Sequence, residues 1–242
     1  CGVCDHKTIA PILFDRWKPG PGLEKSSPRV ISSSPRKYRI TFTKLNRSKF
    51  LSHLELVRVF VRAFKRAGLK FVYSKGFHPM PRVSFACALP VGTESMQETM
   101  DVRMAESLAP LSLKERINEQ LPPGVAVIDV KEIDLGKKME MLRESHYLIT
   151  LNGVILEKGD VDRFFKSNDY PIVRISKKGE NKINARPFVK SIDLISPNRI
   201  RLVVKHASGP VPRPGEIVKG VFSLKDFHLS DMKILKTRQV LS

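Results

Sequence analysis

The sequence has too few cysteines for a disulfide-built secreted protein and no apolar run long enough to cross a membrane. Its three cysteines are an odd number, and no stretch approaches the roughly 18 consecutive apolar residues that a bilayer span needs. The common sequence signatures of phosphate transfer, dinucleotide binding, serine hydrolysis and zinc-dependent proteolysis are also missing. These absences exclude a membrane protein, favour a reducing cytoplasm and leave the chain without a self-contained active site, so its status as an enzyme stays open.

Acidic residues are scarce in one part of the chain. The whole sequence has 43 Lys and Arg against 24 Asp and Glu, a formal charge of +19. Residues 28–82 hold 14 basic residues and a single acidic one, whereas residues 83–146 hold more acidic than basic residues. A charge polarised in this way favours an oriented encounter with phosphate, although a solvated basic face is the alternative. Nucleic acid is therefore the first partner class to consider.

The order of predicted elements indicates an α+β fold. We expect a cysteine-containing stub at residues 1–18 and a flexible linker rich in Pro, Gly and Ser at residues 19–36. Residues 37–135 then follow a β-α-β-β-α-β order, which is the ferredoxin-like layout. Residues 145–242 predict a second ferredoxin-like subdomain, β-rich and variant, with a strand at residues 217–222 and no second helix.

The basic stretch contains a predicted amphipathic helix. Ser52 and Glu55 have the spacing of a capping box, which predicts that the helix starts there, and Gly68 predicts its end. Four cations follow at steps of three and four, so they form a stripe on the face that carries no apolar residues: Arg58, Arg62, Lys65 and Arg66. Part of this charge also suits the negative end of the helix dipole.

The predicted nucleic-acid-binding residues surround this helix. His53, Tyr73, Lys75 and His78 are of types that stack on and hydrogen-bond to nucleotides, although His53 could instead pack against the first helical turn. The full predicted set is Lys44, Arg47, Lys49, His53, Arg58, Arg62, Lys65, Arg66, Tyr73, Lys75, His78 and Arg82. No catalytic residue is predicted, since nothing indicates that the carboxylates Glu98 and Asp101 face one pocket.

Cys1 and Cys4 form a C-x-x-C motif beside Asp5 and His6. This spacing lets two thiolates bind one metal ion or one iron of a cluster, but two thiolates are half a site. A redox pair, or no role at all, remains open. The chain opens at Cys1 without a methionine, so we expect it to be a piece of a longer protein; a lipid-anchored N-terminal cysteine is the alternative.

The region from Tyr38 to Asp101 resembles the radical-SAM-linked domain of unknown function, which occurs fused to or encoded beside cobalamin-binding-type radical SAM proteins. The resembling segments are FLSHL at 50–54, the Arg-rich helix, YSKGF at 73–77 and LPVG at 89–92, with weaker similarity through ARPFVKSI at 185–192. HPMP at 78–81 departs from the order Asn-Pro-His-Pro more usual in that family. The stub resembles the C-terminal tip of the radical SAM protein.

The resemblance implies an accessory substrate-binding domain of a radical SAM system, and the basic helix and loop suggest that its substrate is RNA, either tRNA or rRNA. It also implies a radical SAM protein as partner, with S-adenosylmethionine and cobalamin only in that module and an iron–sulfur cluster at the stub as an option. Two alternatives stay open. The chain could be a protein-interaction module that docks on the radical SAM partner without nucleic acid, or the C-terminal part of an iron–sulfur enzyme that contributes cluster ligands.

Overall fold

The computed structural model of the protein describes residues 34–176, 179–207, 210–224 and 231–242. No helix within these residues has both the length and the apolar character needed to cross a bilayer. The helices are α1 (His53–Arg66), α2 (Pro110–Asn118), α3 (Lys158–Lys166) and α4 (Pro214–Val221), with short 3-10 helices at Asn46–Phe50 and Arg186–Phe188. The strands are β1 (Arg36–Lys44), β2 (Val83–Phe85), β3 (Thr93–Met104), β4 (Val125–Ile133), β5 (Leu142–Leu151), β6 (Pro171–Ser176), β7 (Gly179–Asn184), β8 (Val189–Ser196), β9 (Arg199–Lys205) and β10 (Met232–Leu241).

The N-terminal half, β1 to β4, has the predicted ferredoxin-like topology. β1 pairs antiparallel with β3 and β4, and β2 pairs antiparallel with β3, so the strand order is β4-β1-β3-β2. Tyr38, Ile40 and Phe42 alternate along β1 and are buried, which is the pattern of a strand with one face in a core. Phe60 and Phe64 of α1 belong to the same hydrophobic cluster, so the helix is held on the sheet by its apolar face.

The C-terminal half, β5 to β10, repeats this topology. Its strand order is β10-β5-β9-β8, and β6 and β7 form a separate hairpin inserted between α3 and β8. The strand predicted at residues 217–222 is instead helix α4, and the last strand of the half is β10, which the sequence pattern did not reveal. The second helix that seemed missing is therefore present. The predicted α+β class with two ferredoxin-like units is confirmed.

The two halves share one mixed sheet of eight strands. β10 pairs in parallel with the start of β3 along Thr93–Ser95, while β2 pairs with the same edge of β3 further along. We call this junction the seam. Each half keeps its own hydrophobic cluster on its own helices. The subdomain boundaries 37–135 and 145–242 stay a prediction, as does independent folding of either half.

Candidate nucleic-acid interface

Helix α1 begins with the predicted capping box. The Ser52 hydroxyl accepts a hydrogen bond from the Glu55 N–H at 3.3 Å, and the Glu55 carboxylate accepts one from the Ser52 N–H at 2.8 Å. Hydrogen bonding of the Glu55 carboxylate by the Ser52 backbone and side chain lowers the pKa of Glu55. Leu56, Phe60 and Phe64 are buried against the sheet, so the opposite face of α1 is directed to solvent.

That solvent face carries the predicted cations. We call Arg58, Arg62, Lys65 and Arg66 the α1 stripe; all four are exposed. Within the described residues, no member of the stripe forms an ion pair, and Arg66 only donates to the backbone carbonyl of Gln120. Spacings of three and four place the side chains along one side of the helix. The charge of the stripe is therefore available to an external anion.

A cleft of about 480 Å³ lies at the seam, next to the start of α1. We call it the seam cleft. Its lining comes from four separate segments: Asn46, Arg47, Lys49 and Phe50; Glu94; Asn152; and Met232 with Lys233. Because α1 begins three residues after Phe50, the first turn of α1 lies close to this cleft.

The seam cleft combines positive charge with an aromatic ring. Arg47, Lys49 and Lys233 have no ion-pair partner in the described part of the chain, and Lys49 Nζ lies 5.2 Å from the Phe50 ring centroid. Glu94 is the acidic residue of the lining, and its carboxylate already accepts a 2.7 Å hydrogen bond from the Asn46 N–H. Phe50 is 62% exposed. The lining therefore offers cations for phosphate and an open ring face for stacking.

The loop that carries Lys75 and His78 is closed by Ser74 and displays apolar groups. The Ser74 N–H donates to the Met80 carbonyl at 2.8 Å, and the Met80 N–H donates to the Ser74 hydroxyl at 3.0 Å. Phe77 at the tip is fully exposed, and Tyr73 is 43% exposed. Lys75 and His78 are exposed as well.

Lys44 and Arg82 belong neither to the seam cleft nor to the exposed face of α1. Lys44 is buried, and its ammonium donates to the Leu51 carbonyl at 2.8 Å. Burial lowers the pKa of Lys44 despite the attraction of Glu98. Arg82 is exposed but lines another cavity with Lys37 and Asp101. The structure therefore does not bring Lys44 and Arg82 together with the α1 stripe.

His53 occupies an intermediate position. Its ring is half-buried and packs edge-on against Phe85, with the ring centroids 5.1 Å apart. This contact is close to the packing role that the sequence left open for it.

The structure adds two residues that the sequence did not single out, Phe50 and Lys233. Phe50 stands between Lys49 and the capping box, and an aromatic next to a cation in a basic stretch was an available signal. Lys233 is distant in sequence and joins the cleft only because β10 pairs with β3, so no local pattern reveals it.

Glu98 and Asp101 do not share a pocket. Glu98 lies opposite Phe42 and binds Lys236 at 2.9 Å, whereas Asp101 lies opposite Arg39 and binds Lys37 and Arg39. Since positions 98 and 101 of the strand point to opposite faces, each carboxylate is neutralised on its own side of the sheet.

No group of three or more potential metal ligands occurs among the residues that the structure describes. Burial raises the pKa of the Cys87 thiol, which keeps it protonated. The predicted cluster ligands Cys1 and Cys4, and the stub that contains them, lie outside the described residues.

Comparison with solved structures gives distant likenesses only. A structure titled as a Cbf5–Nop10–Gar1 complex is 10% identical with a TM-score of 0.40, covering 84% of this chain and 48% of that one. A structure titled as an H/ACA RNP bound to a substrate RNA is also 10% identical, with a TM-score of 0.37 and coverages of 82% and 47%. This chain thus spans about half the length of those two chains. The acetolactate synthase small subunit from Thermotoga maritima is 8% identical, with a TM-score of 0.25 and coverages of 86% and 98%.

TM-scores this low carry no argument about what this chain binds. No curated protein matches its sequence. A family of bacterial sequences, by contrast, matches residues 37–214, which include the α1 stripe, the strands from β1 to β9 and most of the seam-cleft lining. The chain therefore belongs to the family described as an uncharacterized protein conserved in bacteria, DUF2344.

Proposed function

We propose that this protein binds RNA, either tRNA or rRNA, through the α1 stripe and the neighbouring seam cleft. The observation that carries the proposal is the α1 stripe itself, which presents four exposed cations, none of which forms an ion pair within the described residues. Unpaired cations on one face repel each other and gain most when phosphates neutralise them.

Exposed aromatic groups favour RNA with unpaired bases over other polyanions. Phe50 and Tyr73 expose much of their rings, and Phe77 exposes all of its ring. Unpaired RNA bases stack on such rings, and aromatic side chains next to Lys and Arg are the usual means of holding them. A polyanion without bases would leave these rings in water.

The direct test is filter binding of the purified protein to bulk tRNA and to rRNA fragments, from about 50 to 200 mM salt. We expect the affinity to fall steeply as salt rises, with a log–log slope of roughly −0.7 for each phosphate contact with single strands. Weak binding with a flat salt response would refute the proposal.

We further propose that the protein is the accessory substrate-binding domain of a radical SAM system in the bacterial cytoplasm. Support comes from the sequence resemblance of residues 38–101 and of the stub. In this proposal S-adenosylmethionine and cobalamin belong to the fused or neighbouring module, which would perform the chemistry. Co-purification of the full-length protein with a radical SAM protein encoded nearby, or fusion to one, tests this assignment.

An alternative is docking on the partner protein without nucleic acid. Leu54 is 67% exposed at the start of α1, and an apolar group in line with Arg58 suits a protein surface as well as an RNA one. A complex with the partner that survives nuclease and is disrupted by Arg62→Glu, without RNA binding by the isolated protein, would favour this alternative.

A cluster site at Cys1 and Cys4 remains a proposal as well. Two thiolates at this spacing supply half of a ligand set, so further ligands would have to come from other residues. Anaerobic reconstitution of the full-length protein should give iron that is lost on Cys4→Ser. Unchanged iron content would contradict a role for the motif.

A further inference from the structure

The seam cleft is built from both halves of the fold, and its walls are fixed by backbone contacts. The Leu45 N–H donates to the Gly124 carbonyl at 2.7 Å, and the Gly92 N–H donates to the Lys49 carbonyl at 2.9 Å. The buried Ser48 hydroxyl donates to the Pro123 carbonyl at 2.9 Å. The 3-10 helix that carries Arg47, Lys49 and Phe50 is therefore held from both sides before any ligand arrives, which reduces the entropy lost on binding.

The charge of the cleft is matched to one or two phosphates. Three cations and one carboxylate, Glu94, line it, so the lining keeps a formal charge of +2. Arg47 and Lys49 come from the N-terminal half and Lys233 from the C-terminal half, so both halves supply cations to the lining. Such an arrangement attracts a backbone phosphate between them.

The seam cleft is too small to admit an RNA duplex. About 480 Å³ lies within the range of sites that hold a single small ligand, which corresponds to one nucleotide. A base can enter only if it is unpaired, and it would then stack on the exposed Phe50 ring beside the Lys49 ammonium. The Asn46 and Asn152 amides in the lining carry donors and acceptors that suit base edges.

We infer that the seam cleft holds one unpaired nucleotide of an RNA strand, with the base stacked on Phe50 and the phosphate between Arg47, Lys49 and Lys233. This inference rests on the proposed RNA binding and assigns a separate task to each part of the surface. The α1 stripe binds phosphates of paired or unpaired RNA, whereas the seam cleft selects strands with a free base.

The test compares an eight-nucleotide single-stranded RNA with a twelve-base-pair RNA duplex, using fluorescence anisotropy at one salt concentration. For Phe50→Ala and for Lys233→Gln we expect about 10-fold weaker binding of the single strand and unchanged binding of the duplex. Ile195→Ala removes an exposed apolar side chain from β8, the strand at the far edge of the sheet, and serves as the control, with little effect on the single strand. Thermal unfolding of each variant establishes that the fold is intact.

The outcomes separate the two proposals. If the wild-type protein binds neither RNA, the proposed function itself fails. If it binds both, but Phe50→Ala and Lys233→Gln bind the single strand as tightly as the wild type, only the inference about the cleft is overturned. Equal losses for Ile195→Ala and Phe50→Ala would also overturn it. Displacement of the octamer by AMP at a concentration close to the octamer's own Kd would overturn it as well, because the cleft would then hold a free nucleotide rather than part of an RNA strand.

Discussion

At the scale of single residues, the seam contains a buried ion pair with further hydrogen bonds. Lys236 of β10 is almost completely buried and binds Glu98 of β3 at 2.9 Å. The Ser95 hydroxyl donates to the same carboxylate at 2.8 Å, and the Lys236 ammonium also donates to Gln239 at 3.0 Å. This network links the two halves, and each member is costly to leave without its partner.

Replacing Lys236 by Met should therefore destabilise the protein strongly. We expect a loss of about 3–5 kcal/mol in the free energy of unfolding, because Glu98 would stay buried without its ion-pair partner and would keep only the attraction of the more distant Lys44. The double variant Glu98→Gln with Lys236→Met should recover a large part of the loss. Urea denaturation measures both.

The control for this prediction is Lys233→Met, an exposed change on the same strand that should stay within about 0.5 kcal/mol of the wild type. If Lys236→Met lowered the free energy of unfolding no more than Lys233→Met, the buried Glu98–Lys236 ion pair would not stabilise the fold.

His206 predicts a pH dependence of stability. Burial, with a smaller contribution from the Lys236 charge, lowers the pKa of His206 to about 4. The ordinary value is about 6.5, so between these pH values the unfolded chain binds a proton that the folded protein does not. The contribution of His206 to stability is thus present above pH 6.5 and is lost as the pH falls towards 4.

Urea denaturation between pH 4 and pH 7 should show this effect as a difference in pH-dependent stability between the wild type and His206→Gln. His206→Gln keeps an amide opposite the Ser145 hydroxyl, which lies 2.9 Å from His206 Nε2, and removes the titration. We expect a smaller loss of stability on acidification for the variant than for the wild type. Identical pH profiles would mean that His206 is not held neutral.

At the scale of elements, the turn before β4 determines where the cleft residues stand. Gly124 has φ +88, and a Cβ there would lie 2.5 Å from the Leu45 carbonyl and 2.9 Å from the Ser48 hydroxyl. A side chain at this position would push on the 3-10 helix that carries Arg47, Lys49 and Phe50.

Gly124→Ala should consequently lower the free energy of unfolding by more than the backbone strain alone would. Gly153 also has a positive φ but has open space around it, so Gly153→Ala isolates the strain of roughly 1–2 kcal/mol. We expect Gly124→Ala to lose clearly more stability in urea and to weaken binding of single-stranded RNA. Equal losses for the two variants would show that the close approach does not matter.

The elements also show how far the sequence predicts this fold. α1 was predicted from its capping box because local hydrogen bonds determine where it starts. The sequence predicts a strand at α4 because Ile217, Val218 and Val221 are β-branched residues, which favour strands, although their positions also fit one face of a helix. β10 was missed because Lys236 and Gln239 are turned inward at the seam, against the usual alternation.

The candidate site likewise has one part that the sequence predicts and one part that it does not. The α1 stripe follows from local sequence, since spacing along one helix determines which side chains share a face. The seam cleft depends on the pairing of β3 with β10, a contact between residues about 140 positions apart. No local pattern encodes such a contact, so Lys233 could only be found in the folded protein.

At the scale of the whole molecule, two ferredoxin-like units share one sheet, and the cations of the N-terminal unit are concentrated before residue 83. Residues 28–82 carry most of the net charge, and the cations of α1 within them face solvent. The central claim is that this localised charge meets RNA phosphates. Under this claim, the position of a cation on the surface matters more than the total charge.

The most direct measurement is the salt dependence of tRNA binding for Arg58→Gln with Arg62→Gln, beside a control that removes two exposed charges from α3, Lys158→Gln with Lys166→Gln. With roughly 0.7–0.9 per lost contact, the log–log slope should become shallower by about 1.4–1.8 for the α1 variant and stay at the wild-type value for the control. An unchanged slope for the α1 variant, or an equal change in the control, would contradict the claim.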